Sequence, residues 1–427
     1  MTDLLRIGIV GCGLIGRKRA AIIHDDPLSQ LCCTADLDAI GAYTLLKEFG
    51  SGGVGAAFQD WQVMLDKEKI DALIVATPNK YLKKISLWAL QRGINVLCEK
   101  PLGRNAWESG RMVKAAGEKG VILKTGFNHR FHPAIWKAHE MVAAGEIGPI
   151  YYLRCIYGHG GRPGYEKEWR ASKDICGGGE LLDQGVHVVD LFRWFLGDFE
   201  EAVGYTQTCY WPMEVEDNAF AIFRTIGGQT AMMHTSWTQW KNRFTFEVFG
   251  EAGYLIVEGL GGSYGVEKLI IGKRPLNRDS ALFISREKTG TAPDFSCGKN
   301  GKTGTAPHFR YAKKGCSPSF SEKMGQSPFS VSSGGENPPR PPLSKGDNKN
   351  EYLGGAPSEE TIVFDGPDVS WELEWKEFTA AIREGREPLG SGRDGLEANR
   401  MLAAVYLSAK ENRPVKLAEI TGDRVTE

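Results

Sequence analysis

No stretch of this 427-residue chain is long and apolar enough to cross a bilayer, and its start shows no signal-peptide pattern. A cytoplasmic protein without a membrane partner is therefore expected. An excess of charge of one sign is also missing. Fifty-two Lys and Arg stand against 53 Asp and Glu, so nothing calls for a polyanion, and no nucleic-acid partner is expected. The nine cysteines lack any repeated ligand spacing, so no metal site is expected. Cys12, Cys32, Cys33 and Cys98 fall in apolar runs or beside a glycine turn, as reduced thiols in a reducing compartment do. The length suits two or three domains with sizeable cores.

What is present begins at residue 5. The apolar run Leu5-Arg6-Ile7-Gly8-Ile9-Val10 enters Gly11-Cys12-Gly13-Leu14-Ile15-Gly16 and then a helical pattern. In such a strand–turn–helix Gly11 permits the tight turn and Gly13 lets backbone approach a pyrophosphate. Gly16 lets the helix pack on the strand. The N–H groups that open the helix, including those near Leu14 and Ile15, would face the phosphates. A second apolar run, 31–35, ends at Asp36, where a ribose-binding carboxylate belongs. Asp36 should repel a 2′-phosphate, and Leu37 offers no cation to hold one. Arg17, Lys18 and Arg19 point to different sides of the helix. NAD rather than NADP is the expected cofactor.

The strand–helix alternation continues, with strands at 7–10, 31–35, 72–76, 96–98 and 121–126 and helices at 82–92 and 107–119. It predicts an α/β fold with a doubly wound, mostly parallel sheet over residues 1–128. A helix at 133–144 follows. Strands are then expected at 150–157, 202–210, 218–225, 230–238, 244–250 and 254–258, with one helix at 181–195. Alternation such as Phe244-Thr245-Phe246-Glu247-Val248 points to an α+β domain with an open, mostly antiparallel sheet over 129–272 and 361–427. Residues 273–360 are rich in Gly, Pro, Ser and Lys. They repeat Lys-Thr-Gly-Thr-Ala-Pro at 288–293 and 302–307 and read as a low-complexity, disordered insertion. Helices are expected at 371–383 and 395–409.

Three clusters carry chemistry. Ala76-Thr77-Pro78-Asn79 ends a strand, where a parallel sheet binds ligands; a proline turn capping a helix would read the same. Cys98-Glu99-Lys100-Pro101 ends the next strand. Lys100 there could polarise a substrate hydroxyl, or pair with Glu99 at the surface. The third is Gly177-Gly178-Gly179-Glu180-Leu181-Leu182-Asp183-Gln184-Gly185-Val186-His187. Four residues apart on one helix, Asp183 could orient His187 as a general base, with Asp190 near the same face; a plain polar contact has the same spacing.

In this order and at these intervals, the motifs resemble the glucose–fructose oxidoreductase/inositol dehydrogenase/MocA family over nearly everything outside 273–360. That resemblance implies a Rossmann domain beside an open-sheet domain, and an NAD-dependent oxidoreductase. The substrate hydroxyl would belong to a sugar, a sugar derivative such as a nucleotide-sugar or uronate, or a cyclitol. It assigns Lys100 to the reacting hydroxyl and cofactor, and His187 to proton transfer. Asp183 would orient His187 or bind substrate, and Glu99 would shape the cofactor end. Asn128 and Arg130 match the stretch that leads into the second domain, with Asn128 at the cofactor. Trp169 and Arg170 are implied substrate or cofactor contacts. Where the family often carries a histidine after Thr-Pro-Asn, this chain has Lys83. The family also implies a homo-oligomer, dimer or tetramer. Two alternatives stay open: an NAD-dependent glycoside hydrolase, and a non-catalytic NAD-binding regulator.

Overall fold

Short aliphatic strands followed by amphipathic helices build the first sheet. The computed structural model describes residues 4–50, 55–274 and 358–421. Strands β1 (Leu5–Val10), β2 (Ser29–Ala35), β3 (Ala56–Phe58), β4 (Ala72–Val75), β5 (Asn95–Cys98) and β6 (Leu123–Thr125) pair in the order β3-β2-β1-β4-β5-β6. Every pairing is parallel. Helices α1 (Leu14–Asp25), α2 (Ala39–Phe49), α3 (Trp61–Lys67), α4 (Asn79–Gln91) and α5 (Ala106–Lys119) connect the strands. Alternate residues of β4 enter opposite cores, Ala72 and Ile74 on one face and Leu73 and Val75 on the other, as a sheet covered on both sides requires. Strand β3 was not expected. Its three half-buried residues are too few to display a period.

The second sheet has nine strands in the order β14-β13-β12-β11-β7-β10-β9-β8-β15. These are β7 (Ile150–Gly158), β8 (Phe199–Gln207), β9 (Asn218–Thr225), β10 (Thr230–Ser236), β11 (Arg243–Gly250), β12 (Gly253–Glu258), β13 (Glu267–Lys273), β14 (Ser358–Phe364) and β15 (Val415–Lys416). Only β7 and β10 run parallel; the other neighbours are antiparallel. One face is covered. Along β9, Ala219, Ala221 and Phe223 are buried while Phe220, Ile222 and Arg224 face out. The helices of this half are α6 (Pro133–Ala143), α7 (Lys173–Cys176), α8 (Glu180–Asp183), α9 (Gly185–Leu196), α10 (Ser370–Glu384) and α11 (Gly392–Glu411).

Two expectations shift here. Strand β8 ends at Gln207 rather than residue 210, because the Asp217 carboxylate accepts from the N–H groups of Cys209, Tyr210 and Trp211 and folds that stretch into a turn. The insertion expected at 273–360 lies, apart from its edges, outside the described residues. Its flanks Lys273 and Ser358 are partners in the ladder between β13 and β14.

Helix α10 follows the second sheet in sequence but packs on the first. Trp375 and Phe378 share a core with Ile7, Ile9, Leu31, Ile74 and Leu97, and Trp375 Nε1 donates to Asp26 Oδ2 at 2.8 Å. The same helix supplies Glu374, which meets the buried Arg19 at 2.7 Å. Helix α11 is anchored on the first domain through Asn399, whose Nδ2 donates to the Leu102 carbonyl at 3.0 Å.

His139 on α6 stacks on Trp194 at 3.8 Å, and burial first, then the Arg130 charge, lower its pKa to about 4. Below the ordinary imidazole pKa the unfolded chain therefore takes up a proton that the folded chain does not, so this residue erodes stability as pH falls. His139→Gln should gain on the parent by up to ~1.4 kcal/mol per pH unit between about pH 6.5 and 4. Urea unfolding of both proteins across that range measures the difference. Parallel pH curves would remove His139 from the account.

Candidate active site

A cavity of about 1260 Å³ opens where the carboxyl ends of β1, β2, β4 and β5 face the second sheet. Strand direction puts it there, since each strand of a parallel sheet ends at the same edge. Among the predicted residues Gly11, Gly13, Leu14, Ile15, Asp36, Thr77, Pro78, Asn79, Glu99, Lys100, Asn128, Trp169, Arg170, Asp183 and His187 all line it. Gly16 stands behind the wall. A Cβ there would lie 1.9 Å from the Gly11 carbonyl oxygen. Gly11 itself has φ +96°, and its missing Cβ would sit 2.4 Å from the Ala76 carbonyl oxygen. Around Gly13 nothing lies within 4 Å of the missing Cβ, which leaves backbone bare toward the cavity.

The cofactor end is built from backbone-anchored side chains. Asp36 Oδ2 accepts from Cys12 N at 2.7 Å and Oδ1 from Asp38 N at 2.9 Å, so the carboxylate is fixed beside the glycine turn. Glu99 accepts from Arg19 Nε and Nη2 at 2.9 and 2.7 Å. Asn79 Nδ2 reaches the Cys176 carbonyl at 2.8 Å. The three consecutive basic residues separate as their helix demands: Arg17 pairs with Glu48, Lys18 lines the cavity, and Arg19 is buried. Lys83 pairs with Glu108 at 3.4 Å and lies over the Trp107 ring. An open backbone, a fixed carboxylate and helix N-termini at one edge fit a dinucleotide.

At the other end Lys100 Nζ donates to both the Asp183 carbonyl, at 2.6 Å, and Asp183 Oδ1, at 2.8 Å. Arg170 Nε donates to Asp183 Oδ2 at 3.2 Å. This corrects the expected geometry. The helix expected at 181–195 is divided at Gln184 into α8 and α9, and His187 N bonds to the Gln184 carbonyl instead of that of Asp183. Lys100 has taken the Asp183 carbonyl and carboxylate together. Asp183 therefore does not orient His187, whose Nδ1 is buried without a hydrogen-bond partner among the described residues. Burial opposes ionisation of Asp183, yet Lys100 and Arg170 hold it well below the usual carboxylate range. Burial, then the Lys100 and His132 charges, push His187 well below the ordinary imidazole value, so it is neutral at pH 7.

Asp190 is also redirected. It forms a buried pair with Arg130, at 2.5 and 2.8 Å, away from His187. Tyr157, Arg162 and Tyr165 line the cavity as well. Trp237 is core, and Trp240 is exposed at φ +54°.

Sequence reasoning missed His129, His159, Tyr264, Asp368 and Trp371, all of which line the cavity. His129 had a signal: it follows Asn128 just after β6, at the same sheet edge. Trp371 had none, because it lies more than 240 residues further along the chain and reaches the cavity only through the return of α10.

Two sequence families match, each over one half of this architecture. Residues 5–127 match the oxidoreductase family with an NAD-binding Rossmann fold. Residues 135–256 match the GFO/IDH/MocA C-terminal domain. The chain belongs to the GFO/IDH/MocA oxidoreductase family. Among curated members, 1,5-anhydro-D-fructose reductase of Ensifer adhaerens is 32% identical over 260 residues, covering 59% of this chain and 75% of that one. Levoglucosan dehydrogenase of Pseudarthrobacter phenanthrenivorans is 27% identical over 289 residues, covering 59% and 73%. A solved structure of levoglucosan dehydrogenase in complex with NADH and levoglucosan superposes with a TM-score of 0.72 at 20% identity, covering 97% of this chain and all of that one. GFO/IDH/MocA membership accounts for the pairing of the two sheets. Among the described residues no helix is long and apolar enough to cross a membrane, and no group of three or more His, Cys, Asp and Glu could hold a metal.

Proposed function

We propose that this protein is an NAD-dependent dehydrogenase acting on a secondary hydroxyl of a sugar, a sugar derivative or a cyclitol. The observation that carries this reading is the meeting of Lys100, Asp183 and His187 on the cavity wall, beyond a cofactor end of dinucleotide shape. When bound, NAD supplies the hydride acceptor. The ammonium of Lys100 has three donors, of which two are engaged by Asp183; the third is left for a substrate hydroxyl oxygen. His187 takes the hydroxyl proton at Nε2, since Nδ1 is buried. Asp183 holds Lys100 in place. Trp169 and Tyr264 offer flat faces against which a sugar ring packs. Asp36, fixed by two backbone N–H groups and followed by the exposed Leu37, favours NAD over NADP.

The test is NADH absorbance after mixing protein and NAD with inositols, anhydrosugars, free hexoses, hexuronates and nucleotide-sugars. A rise with one class is expected. Silence across all of them, with NAD bound, would reject the dehydrogenase and leave the glycoside hydrolase or the regulator.

We further infer a homo-oligomer, dimer or tetramer, joined through the outer face of the second sheet, where Tyr205, Phe220, Ile222 and Met232 are exposed side by side. Light scattering on the eluted protein should give at least twice the monomer mass, and Ile222→Lys should lower it. Buried free thiols, including the adjacent Cys32 and Cys33, suit the reducing interior of a cell and support a cytoplasmic location.

A further inference from the structure

With the Asp183 carboxylate committed to Lys100 and Arg170, the His187 ring is held by another ring. His129 lies nearly parallel to it, with centroids 3.7 Å apart and planes 18° apart, and Phe127 meets it edge-on at 6.1 Å. His129 is itself fixed at both nitrogens. Nδ1 is 3.2 Å from Asn128 Oδ1 and Nε2 is 3.1 Å from the Tyr157 hydroxyl.

The direction of these bonds follows from their neighbours. Asn128 uses its Nδ2 to donate to Ser370 Oγ at 3.0 Å, so its oxygen faces His129, whose Nδ1–H donates. Nε2 then accepts from Tyr157 O–H. Ser370 Oγ in turn donates to Asp368 Oδ1 at 2.6 Å. One chain of donors thus runs Tyr157, His129, Asn128, Ser370, and ends on a carboxylate; each link strengthens the next. It fixes His129 as a neutral imidazole with a known tautomer. Burial above all, with the Lys100 ammonium nearby, holds it well below the ordinary imidazole value and keeps a second proton off it.

We propose that His129 is a positioning residue for proton transfer at His187, presenting a flat neutral ring that orients His187 and stacks beneath the imidazolium it becomes. This rests on the assignment of His187 as proton acceptor. The step balances with the hydride acceptance that NAD would supply: the carbon gives up its C–H pair, the hydroxyl O–H bond breaks and its electron pair becomes the second C–O bond of the carbonyl. The proton bonds to His187 Nε2, and the charge stays on His187 because His129 already has both nitrogens engaged. A cation over an aromatic face in a desolvated site is favourable, and the stack also prevents the ring from swinging off its line to the substrate.

The two possible roles of His129, as a ring face and as a hydrogen-bond link, are separated by two variants. His129→Phe keeps the face and gives up both hydrogen bonds; His129→Gln keeps polar reach and gives up the face. The probe is the compound of the panel above that yields NADH fastest, and NAD affinity is followed by tryptophan fluorescence. Displacing a proton acceptor by about 1 Å lowers turnover by about 100-fold. His129→Gln should therefore lose about 10- to 100-fold in kcat with NAD affinity within about threefold, and His129→Phe should retain severalfold more. Glutamine outperforming phenylalanine, or an unchanged kcat in His129→Gln, overturns the proposal.

Nitrogen-15 histidine spectra of the unaltered protein serve as a check that needs no variant to fold. They should show one non-titrating imidazole, between pH 6 and 8, protonated at Nδ1 and hydrogen-bonded at Nε2. No such imidazole would overturn the assignment of His129. His187→Asn distinguishes the two levels: if it is inactive while His129→Gln matches the parent, only the positioning role fails. If His187→Asn is fully active, the proton-acceptor reading fails and the positioning role with it.

Discussion

Lys100→Met should lower kcat by about 10³-fold or more, while leaving NAD affinity within about threefold. Methionine keeps the length and apolar stem of lysine but removes all three donors. The substrate hydroxyl then loses its hydrogen bond, and Asp183 loses the contacts at 2.6 and 2.8 Å to its carbonyl and Oδ1. Asp183 keeps Arg170, so its charge is not stranded and the fold should persist. Single-turnover NADH formation, NAD titration and the thermal midpoint together read the three quantities. A parent-like turnover would end the role given to Lys100. Loss of NAD binding would instead make it a cofactor anchor.

Gly13→Ala and Gly16→Ala should fail in opposite ways. At Gly13 the backbone has ordinary angles (φ −70°) and the new methyl would meet nothing within 4 Å. The folded protein should tolerate it, with a midpoint within about 2 °C of the parent, since neither strain nor overlap is introduced. NAD affinity should nonetheless drop by about 100-fold, because the methyl occupies the space through which a pyrophosphate approaches the helix terminus. At Gly16 the methyl would lie 1.9 Å from the Gly11 carbonyl oxygen, which is backbone and has little room to give. This variant should lose about 3 kcal/mol or more of stability, a fall of at least about 6 °C. Calorimetry and NAD titration on both variants test the pair. A destabilised Gly13→Ala with normal NAD affinity would contradict the dinucleotide geometry.

Residues close in the chain, or repeated with a period, left a visible trace: Gly11, Gly13 and Asp36 at strand ends, Lys100 after β5, and the alternation along β9 and β11. Contacts between distant residues left none. Asp183 and His187 have helical spacing, and helical spacing predicts a shared face. Lys100, 83 residues earlier, takes the Asp183 carbonyl and carboxylate, and the helix divides at Gln184. His129 and His187 are separated by 58 positions, and no local pattern announces a stack.

By itself the sequence determined the Rossmann-plus-open-sheet plan, the dinucleotide turn and the family to which the chain belongs. Each of these depends on local backbone preference or on a period of two or 3.6 residues, which any chain carries openly. Only the tertiary structure decided which carboxylate pairs with which cation, that a second imidazole lies on His187, and that Trp371 and Asp368 reach the cavity from the far end of the chain. Those choices are made in competition among buried charges and donors, where the shortest available partner wins, and distance in space is not written in order along the chain.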